Sequence, residues 1–195
     1  FELAEVPVVL PPRYNIAPGQ VAAVVRERDG HRVLDTLHWG LVPYWAKDPS
    51  IGHRLVNARL DGLETKPAFR DAWSRRRCLV PASGFYEWSA PIAGRKRPHF
   101  AVPRDEPLLA LAGLWERWRA PSGEWRETFV LVTADAQGEL ARIHDRMPLL
   151  VPRAAHALWL DPRSSLAAVE ALAASPPAVV VHPVGFGVND ARNDG

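Results

Sequence analysis

The chain has 195 residues, 47% of them hydrophobic, and a formal net charge of +2. That length supports one domain with a sizeable core, and no apolar run approaches the roughly 20 residues that cross a bilayer. A single cysteine excludes a disulfide framework and fits a reducing cytosol; the seven histidines lack a second His or Cys at zinc-ligand spacing, so no metal site is expected.

In chain order, Val21 to Glu27 and His31 to Trp39 are β-rich runs joined by Arg28-Asp29-Gly30, a hairpin signal. Thr65-Lys66-Pro67-Ala68 supplies a cap residue and an early proline, with Phe69, Ala72 and Trp73 following at helical spacing. Cys78 to Pro81, Gly84 to Trp88 and His99 to Val102 are further strands. Leu108 to Trp118 and Trp125 to Thr133 flank a segment containing Pro121-Ser122-Gly123, predicting a second hairpin. A short helical turn over Gln137 to Ile143 precedes the strand-like Met147 to Val151. Arg153 to Leu160 and Ser164 to Ala174 are Ala/Leu-rich helices, and Ala178 to His182 is a last strand. Strands outnumber helices without regular alternation. The expected fold is therefore α+β, a mainly antiparallel, barrel-like sheet with a few short helices, in one domain over residues 1–195.

Three islands carry polar chemistry: Asn57-Ala58-Arg59, Gly84-Phe85-Tyr86-Glu87-Trp88 and His144-Asp145-Arg146-Met147-Pro148. Strand alternation sends Glu87 to the face opposite Tyr86 and Trp88. Buried there, its carboxyl titrates high, as a general acid requires; on an outer face it is a solvated glutamate. His144 sits on a loop among charged residues, where a proton shuttle and a surface histidine look alike. Asn57 is suited to holding a carbonyl or phosphate, or to capping a turn. Arg59, Arg70, Arg146 and the run Arg75-Arg76-Arg77 are phosphate ligands or solvated cations.

Of 24 basic residues, 21 are Arg and only Lys47, Lys66 and Lys96 are Lys. Arginine forks pair with phosphate oxygens and stack on bases, which suits a nucleic-acid surface; a residue bias running through the whole sequence explains it equally. Eight tryptophans add to this: Trp39 and Trp45 bracket a turn-rich stretch where an exposed ring is a stacking platform, whereas Trp73, Trp115 and Trp159 fall in core-like segments. Cys78 opens an apolar strand and reads as a buried small hydrophobe, although three preceding arginines favour its thiolate.

The ordered motifs resemble the SOS-response-associated peptidase family. They run from Arg13-Tyr14-Asn15-Ile16-Ala17-Pro18-Gly19-Gln20 through Trp39-Gly40-Leu41-Val42-Pro43, Trp45, Asn57-Ala58-Arg59 and Pro67-Ala68-Phe69-Arg70. They continue through Arg76 to Pro81, Gly84 to Trp88, Leu131-Val132-Thr133 and His144 to Pro148, and end in Val188-Asn189 with Arg192-Asn193-Asp194. The resemblance implies binding of single-stranded DNA and covalent trapping of abasic sites, without a cofactor, by a monomer in the cytoplasm associated with the nucleoid through DNA. In that family the nucleophile is an N-terminal cysteine, exposed by removal of the initiator Met, that forms a thiazolidine with the ring-opened sugar. Carried over, Glu87 and His144 are the acid–base pair at the sugar, and Asn57 orients the attacking terminus. Arg59, Arg146 and Arg70 grip phosphates, Trp45 packs against bases and Thr133 lines the pocket. The Met-Cys-Gly-Arg start is not in this sequence, which opens Phe1-Glu2-Leu3-Ala4, so the nucleophile is expected upstream of Phe1 and not at Cys78. A single-stranded DNA-binding module without chemistry, and a peptidase acting in trans, are the rival readings.

Overall fold

The computed structural model describes residues 1–5, 10–91 and 94–194. Strands β1 (Val21–Arg28) and β2 (His31–Trp39) form the first hairpin, paired from Val21↔His38 to Arg28↔His31. Its turn residues Asp29 and Gly30 have φ of 52° and 78°, the left-handed pair that a two-residue type I′ turn needs. After these come β3 (Asn57–Arg59), α1 (Arg70–Arg75), β4 (Arg77–Ala82), β5 (Phe85–Trp88) and β6 (Pro98–Pro103). The chain continues with β7 (Leu109–Arg119), β8 (Trp125–Asp135), β9 (Arg146–Pro148), α2 (His156–Leu160), α3 (Leu166–Ala174) and β10 (Val179–Pro183).

Hydrogen bonding runs in the order β2-β1-β4-β7-β8, and β2 returns to β8 through His38↔Thr128 and Trp39↔Phe129. This closes a five-stranded barrel. Closure removes the open edges that would otherwise pair with another chain. The fold class is as expected, with one refinement: the closing β2–β8 pair and the β3–β8 pair are parallel. A second, three-stranded sheet in the order β10-β6-β5 packs beside the barrel.

Both faces of the barrel wall are buried, because alternate residues serve two cores. Val24, Cys78, Leu111, Phe129 and Leu131 belong to one, joined by Ala101 and Val179 of the second sheet. Val25, Leu79, Ala112, Val130 and Val132 belong to the other, beneath Trp73 of α1, Trp159 of α2 and Val169 of α3. Helix α3 starts at Ser165, whose side chain accepts from Ala168 N, a cap that satisfies one of the free N–H groups of the first turn.

Three local expectations change. The helix expected from Thr65 starts at Arg70, because Lys66 O already accepts from both Phe69 N and Arg70 N and Pro67 sits in the turn before it. Asn57 caps no turn; it opens the strand β3. Trp115 is half-buried and is covered by a cation, with Arg26 Cζ 4.1 Å from its ring centre. Arg26 is only 3% exposed, and it bonds Asp35 at 2.7 Å and Glu127 at 2.6 Å.

The two ends of the chain are tied into one corner. Asp194 accepts from Arg13 Nε (2.8 Å), Tyr14 N (2.6 Å) and Asn15 N (2.8 Å). Asn15 Nδ2 donates to the carbonyls of Val188 and Asp190. Strand β5 hangs from this corner: Tyr86 OH donates to Tyr14 O at 2.9 Å and Trp88 Nε1 to Asn189 Oδ1 at 2.8 Å.

Candidate active site

Those two anchors use the residues on either side of Glu87, so the strand presents the carboxylate from a fixed backbone. Gly84 makes the approach possible. A Cβ there would lie 2.5 Å from Ala101 O and 2.5 Å from the Phe100 ring, both on β6. Glu87 pairs directly with His99 across the β5–β6 ladder. Burial pushes the Glu87 carboxyl above its ordinary value, and the charges of His144 and Lys96 with the Trp88 backbone bond pull it partly back. Glu87 is thus half-buried rather than solvated on an outer face, with its carboxyl raised by that burial.

His144 follows the 3-10 turn Leu140–Arg142, where its amide donates to Leu140 O at 2.9 Å. Its Nδ1 lies 3.0 Å from both the N–H and the carbonyl of Arg146. In the neutral ring Nδ1 accepts from the Arg146 amide, leaving the proton on Nε2. In the imidazolium, Nδ1–H donates to the Arg146 carbonyl. One residue's backbone therefore serves both protonation states, which suits a group that takes up and releases a proton.

Beyond His144 the chain enters β9, which brings a cation to the same place. Arg146 Nη2 donates to Thr133 O at 2.7 Å, and Nη1 meets Asp135 at 2.5 Å. Thr133 also pairs with Arg59 through the β3–β8 ladder, its hydroxyl turned back to Ala58 O at 3.4 Å. Arg59 bonds Asp61 through Nε (3.1 Å) and Nη2 (3.3 Å). The Arg59 side chain holds the Asp61 carboxyl below its usual range, and the charges of Arg59 and Arg146 add to this. On β3, Asn57 and Arg59 are exposed on one face while Ala58 is buried between them.

The structure therefore gathers Arg59, Thr133 and Arg146 into one cluster, joined by the short β9 turn to His144 and through its charge to Glu87. Asp61 and Asp135 were not legible as partners in the sequence. Asp61 had a weak signal, lying two residues after a chosen arginine; Asp135 depends on the β8–β9 register, which no local pattern encodes. Trp45 and Arg70 share a groove. Trp45 is 48% exposed and lines a groove with Tyr44, Pro67, Arg70, Asp71 and Ser74. Among the described residues no hydrogen bond or ion pair joins that groove to the Glu87 cluster.

Cys78 is fully buried in the barrel, and burial pushes its thiol up to about 12, so it is no nucleophile at neutral pH. Phe1 stacks on His156 at 5.1 Å and its carbonyl accepts from Arg32, which seats the first residues on α2 and β2. Among the described residues no three His, Cys, Asp or Glu side chains are grouped to hold a metal, and no helix is long and apolar enough to cross a membrane.

Fold and motifs together define the class: the chain belongs to the SOS response associated peptidase (SRAP) family, whose sequence profile matches residues 3–191. It is 37% identical over 155 residues to the abasic site processing protein YoqW of Bacillus subtilis (strain 168), covering 79% of this chain and 69% of that one. To the abasic site processing protein YedK of Escherichia coli (strain K12) it is 34% identical over 191 residues, covering 94% and 82%. A crystal structure of a protein from Bacteroides thetaiotaomicron superposes with a TM-score of 0.75 at 28% identity, covering 92% of this chain and 78% of the other.

Proposed function

We propose that this protein processes abasic sites in single-stranded DNA by forming a covalent adduct with them. The observation that carries the reading is the half-buried Glu87, whose carboxyl is pushed up by burial and pulled partly back by the charge of His144. Arg146, on the strand that follows His144, donates to Thr133, and Arg59 pairs with Thr133 across the β3–β8 ladder. A carboxylic acid whose pKa is raised by burial can deliver a proton to the ring oxygen as the sugar opens to its aldehyde. His144 serves as the exchange partner. Arg59 and Arg146 hold the flanking phosphates, and Asn57 orients the attacking terminus.

The nucleophile in this reading is an N-terminal cysteine upstream of Phe1, freed by self-processing that removes the initiator Met. Its α-amine adds to the aldehyde and loses water to give an imine. The thiol then adds to the imine carbon, closing a five-membered thiazolidine while the nitrogen takes up the thiol proton. The ring closure is intramolecular, which favours the product over the hydrolysable imine.

The test is incubation of the full reading frame with a single-stranded oligonucleotide carrying one abasic site, followed by a denaturing gel. A denaturant-stable adduct is expected, absent with an unmodified oligonucleotide and absent when the chain begins at Phe1. Salt-sensitive binding without an adduct would instead make the chain a DNA-binding module. Cleavage of unrelated peptides would make it a peptidase in trans.

A further inference from the structure

The connection between β5 and β6 carries Arg95, Lys96 and Arg97 in succession, all exposed. Among the described residues none of the three forms a salt bridge. Many arginines of this chain do: Arg59 pairs with Asp61, Arg104 with Glu139, Arg146 with Asp135 and Arg163 with Asp161. Arg59 and Arg146 are thus already paired, while this arm is not.

The arm is also held in place. Ser89 N donates to Arg97 O at 3.0 Å and Arg97 N to Ser89 Oγ at 3.3 Å, which extends the β5–β6 ladder one step past Trp88. Val184 N donates to Pro98 O at 3.0 Å, and Arg95 Cζ lies 4.9 Å from the Phe186 ring centre. The Ser89–Arg97 step lies two residues past Glu87 and its partner His99, about 7 Å along the strand at roughly 3.3 Å per residue, and the charge of Lys96 reaches the Glu87 carboxyl. Glu87 therefore has cations on two sides: Arg59 and Arg146 beyond His144, and the arm along its own hairpin.

We infer that the Arg95–Arg97 arm is a second backbone-binding surface, which holds the phosphates of a single strand crossing the Glu87 site and supplies most of the salt-dependent affinity. Unpaired, preorganised cations release counterions from a strand without first giving up a carboxylate, whereas Arg59 and Arg146 must exchange Asp61 and Asp135 for phosphate. The inference rests on the reading of the chain as a protein that acts on single-stranded DNA.

The experiment measures affinity for an unmodified single-stranded oligonucleotide by fluorescence anisotropy across salt concentrations. The comparison is between the wild type, the triple variant Arg95→Gln/Lys96→Gln/Arg97→Gln, and Arg163→Gln, an 88% exposed but ion-paired control. At about 0.7 per neutralised phosphate, the triple variant should lose about 2 from the slope of log affinity against log salt. Between 50 and 200 mM salt, that is a roughly 16-fold smaller loss of affinity than in the wild type. The control should keep the wild-type slope, and all three proteins should be folded at the assay temperature, the triple variant giving up only the Arg95–Phe186 contact. An unchanged slope in the triple variant, or an equal drop in Arg163→Gln, overturns the inference. So does weakened binding to vesicles of anionic phospholipid with oligonucleotide binding intact, which would assign the arm to a membrane surface. Because this probe carries no abasic site, failure of the arm and failure of adduct formation are read separately.

Discussion

Replacing Arg26 by methionine tests how one end of the barrel interior is closed. The guanidinium is 3% exposed, bonds Asp35 at 2.7 Å and Glu127 at 2.6 Å, and lies over Trp115 at 4.1 Å. Removing one member of a buried ion pair typically costs about 3–5 kcal/mol, because the remaining charge is stranded. Here the side chains of Asp35 and Glu127 are 25% and 33% exposed, so both rehydrate and the cost falls to the low end. Loss of the cation–π contact adds about 1 kcal/mol. Arg26 Nη1 is buried without a partner among the described residues, so methionine relieves one desolvated donor and adds apolar packing, an offset of about 1–2 kcal/mol. The net expectation is a loss of about 2–3 kcal/mol. With a urea m-value of about 2 kcal/mol/M, the unfolding midpoint falls by about 1–1.5 M. A midpoint unchanged within error would refute the reasoning and show that the Arg26 network contributes no net stability.

Cys78 offers a chemical check: with its thiol pushed up to about 12, roughly one molecule in 10⁴ carries the thiolate at pH 8, so alkylation by iodoacetamide should be undetectable in the native protein and rapid in urea. Labelling of the native protein at the rate of a free thiol would contradict its place in the barrel. The raised Glu87 carboxyl means the folded chain binds more protons than the unfolded one at pH values above the ordinary glutamate range. Stability should therefore fall as pH rises through that window, and Glu87→Gln should remove this loss, leaving the variant the more stable protein at pH 7; equal midpoints from pH 4 to 8 would count against burial of the group. Gly84→Ala forces a Cβ to 2.5 Å from Ala101 O, and about 2 kcal/mol of destabilisation should follow by urea unfolding, with β5 displaced.

The parts of the fold that were legible in the sequence are those with local causes. Asp29-Gly30 announces the first hairpin because only that turn chemistry accepts two left-handed residues, and the Ala/Leu-rich run from Ser164 announces α3, whose cap at Ser165 the structure adds. The β7–β8 hairpin follows from two long apolar runs around a short polar turn. What was not legible depends on distant partners. Strand β3 has three residues and pairs with β8, so no strand was legible at Asn57, which read as a polar ligand or a turn cap. Barrel closure through β2 and β8 joins segments about ninety positions apart and leaves no periodicity in either. At the site, Glu87 and His144 each read as surface residues when taken alone. Their coupling arises because the tied chain ends fix β5 while the β8–β9 ladder fixes His144. Asp61 and Asp135, which set the state of the two arginines, escaped for the same reason.

The central claim is that Glu87 acts with His144 on the sugar of an abasic site, and the single-turnover rate of adduct formation tests it most directly. Protein from the full reading frame, with Glu87 intact or changed to Gln, is mixed in excess with a single-stranded abasic oligonucleotide and quenched into denaturant. Loss of a positioned general acid predicts a fall of about 10²–10⁴-fold in rate, with affinity for an unmodified oligonucleotide retained. An adduct that forms at the wild-type rate in Glu87→Gln would contradict the account.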